Sequence, residues 1–291
     1  MDVMLPRTLD EALAQKAEHP EAICLAGGTD VMVEINFGRS RPAAIIDVSQ
    51  LQELKGIAMD NGHRFLGAGT TYTQVIAQLA EVKPLVEASR SVGSPQIRNR
   101  GTVGGNLGTA SPAGDALPVL AALDADVVVA SRRGRRAIPW NVFLVSPKKN
   151  SMTKDELILG TQWVPVRGPG SFSKIGTRNA MVISVVSFCL VLDEDAHGVR
   201  VALGSVAPTV IRASAAEAFI NQAMAEAGLW ADPSRPLPEA AWGEFATLVA
   251  SAARPIDDVR GTAVYRRQAC KVLAKRALNW ALEDRKLGRW S

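Results

Sequence analysis

The sequence predicts an α+β protein of two domains, and three observations lead there. Strand-like and helix-like patterns alternate through about residue 165. A Gly/Pro/Ser bridge, "GPGSFSKIGT", then breaks the pattern. Beyond it stand two long β-branched runs, "MVISVVSFCLVLD" and "VRVALGSVAP", joined by "EDAHG" as an antiparallel pair, and after them only helical patterns. The domain boundary falls near residues 165–172.

Each element has a local reason. Thr8 opens "TLDE", a capping-box pattern with Glu11, which predicts a helix to about Glu18 ahead of Pro20. "AICLAGGTDVMVEI" reads as a short buried strand, a Gly-Gly turn and a helix capped by Thr29 or Asp30. "AIIDVS" is a further strand. "HRFLGAGTTYTQVIAQLAEV" is strand, glycine turn and helix, and "PLVEASRSVG" is a helix with Pro84 in its first turn. "ALPVLAALDA" and "ADVVVAS" are helix and strand, and Arg132 to Arg136 form a solvated hairpin turn or, alternatively, a docking point for an acidic partner. Three helices close the chain. In the last, Val264, Ala269, Val272, Leu273 and Leu278 supply an apolar stripe while Arg266, Lys271 and Lys275 face outward.

Composition narrows the function. With 291 residues, 47% of them hydrophobic, the chain can bury a conventional core. A net charge of +4 and 5% aromatic residues argue against nucleic acid, which calls for basic stripes and stacking platforms. No apolar run approaches the roughly 20 residues of a membrane span. The opening "MDVMLPRTLDEALAQ" lacks the pattern of a secretory signal, so the expectation is a soluble, cytoplasmic protein. Cys24, Cys189 and Cys270 stand far apart among apolar neighbours and read as buried thiols; His19, His63 and His197 lie in turn-like contexts. No pair has metal-site spacing, so no metal ligand is assigned, and no catalytic residue either.

Chemistry therefore rests on glycine. Gly27–Gly28 and Gly104–Gly105 each precede a predicted helix or turn and are flanked by Thr29, Thr102 and Asn106. Glycine pairs adopt φ > 0 readily, letting peptide N–H groups converge on an anion, here a diphosphate held from two sides; two plain structural turns are the other reading. "GAGTTY" begins like a dinucleotide fingerprint, but Tyr72 replaces its third glycine, which favours a non-Rossmann site.

"LAGGTDVMV", "SPQIRNRGTVGGNLGTASPAGDALPVLAALDADVVV" and "PIDDVRGTAVYRRQACKVLAKRAL" together resemble the FAD-binding medium subunit of the molybdenum hydroxylases, the family of xanthine and carbon monoxide dehydrogenases. The resemblance implies a two-lobed FAD-binding domain of the vanillyl-alcohol-oxidase (PCMH) type over residues 1–167 and a smaller C-terminal domain of antiparallel sheet and helices over 172–288. It implies a first diphosphate loop of Ile23, Cys24, Leu25, Ala26, Gly27, Gly28, Thr29 and Asp30, and a second of Thr102, Val103, Gly104, Gly105 and Asn106. Val92, Asp115, Ile158 and Lys174 complete the implied FAD contacts. Taken alone, Asp115 reads as a helix cap and Lys174 as a solvated lysine.

The same resemblance implies a large molybdopterin subunit that hydroxylates the substrate and a small subunit with two [2Fe-2S] clusters, assembled as a dimer of heterotrimers. FAD would pass electrons to an external acceptor. "TRNAMVIS" departs from the family loop beside the flavin ring: Asn179 and Val182 stand where carboxylates are usual, giving a less negative edge. Two alternatives stay open, a free-standing flavin oxidoreductase of this fold and a structural subunit with a decayed flavin site.

Overall fold

The computed structural model describes residues 1–290, and the chain divides into two compact units. The first comprises Met1–Gln78, Val92–Ser111 and Asp124–Val164; the second comprises Leu79–Ser91, Pro112–Leu123 and the chain from Pro165 onward. The fold is α+β, as the sequence predicts.

In the first unit, strands Asp2–Met4, Ala44–Asp47 and Ile23–Leu25 form a parallel sheet with Ala44–Asp47 in the middle. A five-stranded antiparallel sheet runs in the order Ile57–Asp60, His63–Gly67, Leu157–Trp163, Asp126–Ser131 and Gly134–Pro139. Helix Leu9–Glu18 supplies Ala12 and Leu13 to a core that also takes Ile46, Leu51, Leu54, Val128 and Leu159. Its start is as the capping box predicts at one end: Thr8 Oγ1 accepts the Glu11 N–H at 3.2 Å, although the Glu11 carboxylate reaches back to the N–H of Arg7 instead of Thr8. Gly67 and Gly69, the false fingerprint, let the strand pass close to Leu54, whose carbonyl accepts the Gly69 N–H at 2.6 Å. The hairpin turn is tighter than the sequence predicts, only Arg132 and Arg133, because Arg135 and Arg136 already pair in strand Gly134–Pro139; all four arginines are solvated, with Arg133 paired to Asp155 and Arg136 to Glu156.

In the second unit, strands Gly170–Ile175, Val186–Asp193, Gly198–Gly204 and Ile211–Arg212 form an antiparallel sheet in that order. Every residue of Val186–Asp193 is buried, because helices cover both faces. Val186, Phe188, Leu190 and Leu192 pack into a core with helices Ser214–Glu226, Glu239–Ala252 and Ala263–Leu287. The opposite face meets helices Lys83–Ser91 and Ala116–Ala122. This explains why the strand reads as an unbroken apolar run, not as an alternation. Gly204 is required there, since a side chain would strike Ser187 Oγ and Pro118.

Two sequence readings need correction in this unit. The run "MVISVVSFCLVLD" enters the sheet only at Val186; Met181 takes a left-handed conformation (φ 51°), and Arg178 folds back to donate to the carbonyls of Ala180 and Met181, holding residues 178–183 as a loop. In the last helix Val264 is 76% exposed and Val272 partly so, whereas Arg266 is 3% exposed. Arg266 is drawn inward by three acceptors: the Val185 carbonyl at 2.9 Å, the Ser205 carbonyl at 2.7 Å and the Asp258 carboxylate at 2.6 Å. The seam keeps the predicted Ala269, Leu273 and Leu278 and adds Cys270, Ala274 and Ala277, mostly small residues that let the helix approach closely.

Glu87 accepts the N–H of Phe172 at 2.7 Å, and its burial holds the carboxyl above the ordinary value of 4.5. The folded state therefore favours the proton. Its contribution to stability is fullest below about pH 4.5 and is lost as pH rises through the raised value. Glu87→Gln keeps the acceptor but removes the titration, so urea midpoints compared across that window should show the wild-type chain losing stability relative to the variant.

Candidate functional site

The two glycine loops meet in the first unit. Strand Ile23–Leu25 runs into Ala26, Gly27, Gly28, Thr29 and Asp30, and helix Val31–Asn36 follows. Gly28 sits at φ 77°, a left-handed turn that glycine enters without strain. Gly27 has a different duty: a Cβ there would overlap the carbonyl oxygen of Arg100 and lie 3.0 Å from the Cα of Gly101. The first loop is thus pressed against the chain leading into the second. Asp30 adds a clasp, accepting the Thr109 hydroxyl at 2.7 Å. Of the two expected caps, Asp30 holds the N-cap position, but its side chain makes no cap bond to the helix.

The loops differ in what they offer an anion. Among the described residues, no hydrogen bond is made by the main-chain N–H groups of Gly27, Gly28, Thr29 and Asp30. Four successive free donors around a left-handed turn form a nest for negative charge. The second loop has spent most of its donors. Val103 N–H goes to the Thr70 carbonyl at 3.1 Å, Gly104 N–H to the Ala68 carbonyl at 2.9 Å, and Gly105 N–H to the capping Thr102 hydroxyl at 3.0 Å. Gly104 is buried, and a Cβ on it would stand 2.7 Å from the Ala68 carbonyl oxygen, so it serves packing. Gly105 is exposed, and a Cβ on it would meet only Thr102 Oγ1, at 3.2 Å. It leaves a bare patch of helix surface. Beside it the Oδ1 of Asn106 is buried without a partner.

Ile158 lies at the bulge of strand Leu157–Trp163, and its Cδ1 is 3.7 Å from where a Cβ on Gly108 would stand. Val92 is half-buried, its carbonyl accepting from Arg98 at 3.1 Å. Cys24 is partly buried in the strand leading to the loop, and burial pushes its thiol up. Thr109 and Gly101, which secure the first loop, were not singled out by sequence reasoning; both lie inside the glycine-rich run, but nothing in their type distinguishes a clasp from a turn.

The second unit holds Asp115 and Lys174. Neither behaves as its residue type alone suggests. Asp115 makes no cap bond to helix Ala116–Ala122. Lys174 is not solvated: its Nζ lies 2.7 Å from Asp115 Oδ2 and 3.1 Å from the Ser91 carbonyl, with the two side chains 10% and 7% exposed. Burial raises the Asp115 carboxyl above its usual range, against the opposing pull of the Lys174 ammonium. The second carboxylate oxygen, Oδ1, is buried and has no partner. It is an acceptor awaiting a donor. Among the described residues, no three His, Cys, Asp or Glu side chains converge to hold a metal ion, and no helix is long and apolar enough to cross a membrane.

In the first unit, a free N–H nest, a bare glycine surface and the orphaned acceptor of Asn106 fit the charged diphosphate of a dinucleotide cofactor, the mark of a flavin-binding subunit. Comparison with known proteins agrees. Residues 1–164 match the family described as FAD binding domain in molybdopterin dehydrogenase, and residues 171–281 match the CO dehydrogenase flavoprotein C-terminal domain. The chain belongs to the family of FAD-binding medium subunits of the molybdenum hydroxylases. It is 37% identical over 207 residues to the nicotinate dehydrogenase FAD-subunit of Eubacterium barkeri, covering 67% of this chain and 69% of that one. It is 28% identical over 295 residues to the carbon monoxide dehydrogenase medium chain of Hydrogenophaga pseudoflava, covering 95% and 96%. A solved structure of carbon monoxide dehydrogenase from Hydrogenophaga pseudoflava, lacking the Mo-pyranopterin moiety, matches with a TM-score of 0.85 at 25% identity over 97% of this chain and 96% of that one. The protein is an oxidoreductase subunit and its cofactor is FAD.

Proposed function

We propose that this chain relays electrons: it takes them from [2Fe-2S] clusters of a small partner subunit and delivers them through FAD to an external acceptor, while a large molybdopterin subunit hydroxylates the substrate. The bound flavin supplies the redox chemistry, and the protein holds and tunes it. In this reading the N–H groups of Gly27 to Asp30 bind the diphosphate, with strand Ile23–Leu25 and Ala26 aiming them. Thr102 to Asn106 offer the flat surface against which the cofactor lies, flanked by Val92 and Ile158. Asp115, steadied by Lys174, accepts hydrogen bonds from cofactor hydroxyls through its free Oδ1. The exposed loop at residues 177–183 borders the path of the acceptor, and with Asn179 and Val182 in place of carboxylates that edge carries little negative charge.

The observation that carries the reading is the row of four unpaired N–H groups at Gly27 to Asp30, on a loop pressed against the chain that leads to the exposed Gly105. Gly105→Ala tests it, because the variant separates folding from binding. Alanine in a helix is up to about 1 kcal/mol better than glycine, which offsets the 3.2 Å approach of the new Cβ to the capping Thr102 Oγ1, so thermal stability should change little. A methyl group on the bare surface should nonetheless lower FAD content on purification; unchanged FAD content would remove the second loop from the site. Partners are tested by affinity purification of the tagged chain from its source cells. Iron and molybdenum should elute in fixed ratio to flavin, with a mass of two heterotrimers. A metal-free flavoprotein that oxidises substrate unaided would establish the free-standing alternative instead.

A further inference from the structure

A groove of about 400 Å³ in the second unit is floored by strand Gly170–Ile175 and walled by helices Lys83–Ser91 and Ala263–Leu287. It has no part in holding FAD as read above. Three carboxylates line it, Glu87, Glu283 and Asp284, against one ammonium, Lys83, which Asp284 already engages at 2.9 Å. The groove therefore carries an excess of negative charge. Trp280 stands in its wall 43% exposed, a large aromatic left to water beside those carboxylates. Ser171, on the floor, is only 7% exposed, and its Oγ has no hydrogen-bond partner. A buried hydroxyl without a partner costs free energy until a donor or acceptor arrives.

One group answers all three features. A guanidinium supplies positive charge for the carboxylates, a planar face for the tryptophan ring and N–H donors for the serine oxygen. The floor favours a polypeptide as its bearer. Strand Gly170–Ile175 is the outermost of its sheet, and the Phe172 N–H turns away from the neighbouring strand toward Glu87. Ser171, Phe172 and Ser173 of this outer strand line the groove, and an extended segment can lie along it.

We propose that this groove docks an extended basic segment of a partner polypeptide, with one arginine seated over Trp280 between Glu283 and Glu87 and donating to Ser171 Oγ. The proposal does not depend on which chain supplies electrons.

Titrating the FAD-loaded full chain with acetyl-Thr-Val-Arg-Val-Thr-amide and its Arg-to-Gln analogue tests the proposal by calorimetry. The arginine peptide should bind about tenfold more tightly than the analogue, and Trp280→Ala and Glu283→Gln should each erase most of that margin. Melting curves of the variants report that they fold. Asp10→Lys, a larger charge change on an exposed residue of the first unit, should leave the margin intact. Equal binding of the two peptides, binding of neither, or an equal loss in Asp10→Lys overturns the proposal. So does a chain that self-associates through this groove, dissociates on Glu283→Lys and ignores the peptide, since its occupant would then be a second copy.

Discussion

Gly27→Val should yield a chain that folds poorly at one place and no longer retains FAD. The valine Cβ would occupy the position of the Arg100 carbonyl oxygen, a main-chain atom with no freedom to rotate aside. Relief requires the first loop to lift off residues 100–101, and overpacking of this kind costs about 1–3 kcal/mol or more. Lifting the loop also moves the N–H groups of Gly27 to Asp30. A hydrogen bond to a charged group contributes about 1.5–3 kcal/mol, so losing one costs about tenfold or more in cofactor affinity. Flavin absorbance of the purified protein and a fluorescence titration with added FAD would show it. Retention of FAD at the wild-type level would mean that the contact between the loops does not shape the site.

Lys174→Met should lower the unfolding free energy by about 3–5 kcal/mol at neutral pH, the usual penalty for stranding one member of a buried ion pair. The stranded group is Asp115, whose carboxyl is already pushed up by burial and would lose the ammonium that opposes the push. The sign follows. A carboxyl whose folded pKa is raised stabilises the fold below its ordinary value of 3.8 and loses that contribution as pH rises. The deficit of the variant is therefore greatest near neutrality and shrinks as acid protonates Asp115. Adding Asp115→Asn to Lys174→Met removes the stranded charge and should restore most of the loss, because the two sites share one interaction. Urea unfolding of the three variants at pH 7 and pH 4 supplies the comparison; a double variant as weak as Lys174→Met would show that shape, not charge, governs the position.

Most of the fold was legible because its determinants are local. Thr8 and Glu11, the hairpin turn at Arg132–Arg133 and the "EDAHG" connection each announce an element by spacing and residue type. What failed depended on distant chain. Arg266 reads as a solvated arginine until the carbonyls of Val185 and Ser205 are seen to converge on it from residues 81 and 61 positions away. Met181 to Val185 carry strand-forming residues yet stay outside the sheet, because Arg178 ties up the loop. The two glycine loops were legible in the same measure. Paired glycines marked both loops, but identical spelling hid unlike jobs: Gly27 and Gly104 make room for neighbouring main chain, Gly28 supplies a turn, and Gly105 supplies emptiness. Nothing in "GG" distinguishes these, since each is decided by what stands opposite in space. The Asp115–Lys174 pair, 59 residues apart, is equally invisible to periodicity.

The second unit borrows two helices, Lys83–Ser91 and Ala116–Ala122, from within the span of the FAD-binding family model, and they roof one face of its central strand. A polypeptide started at Pro165 would present Cys189 and Val191 to water, so this half cannot be transplanted as a cassette between relatives. Recombination that respects the fold must carry those two helices along with the sheet, and grafts joined at residue 165 should aggregate unless the recipient supplies matching ones.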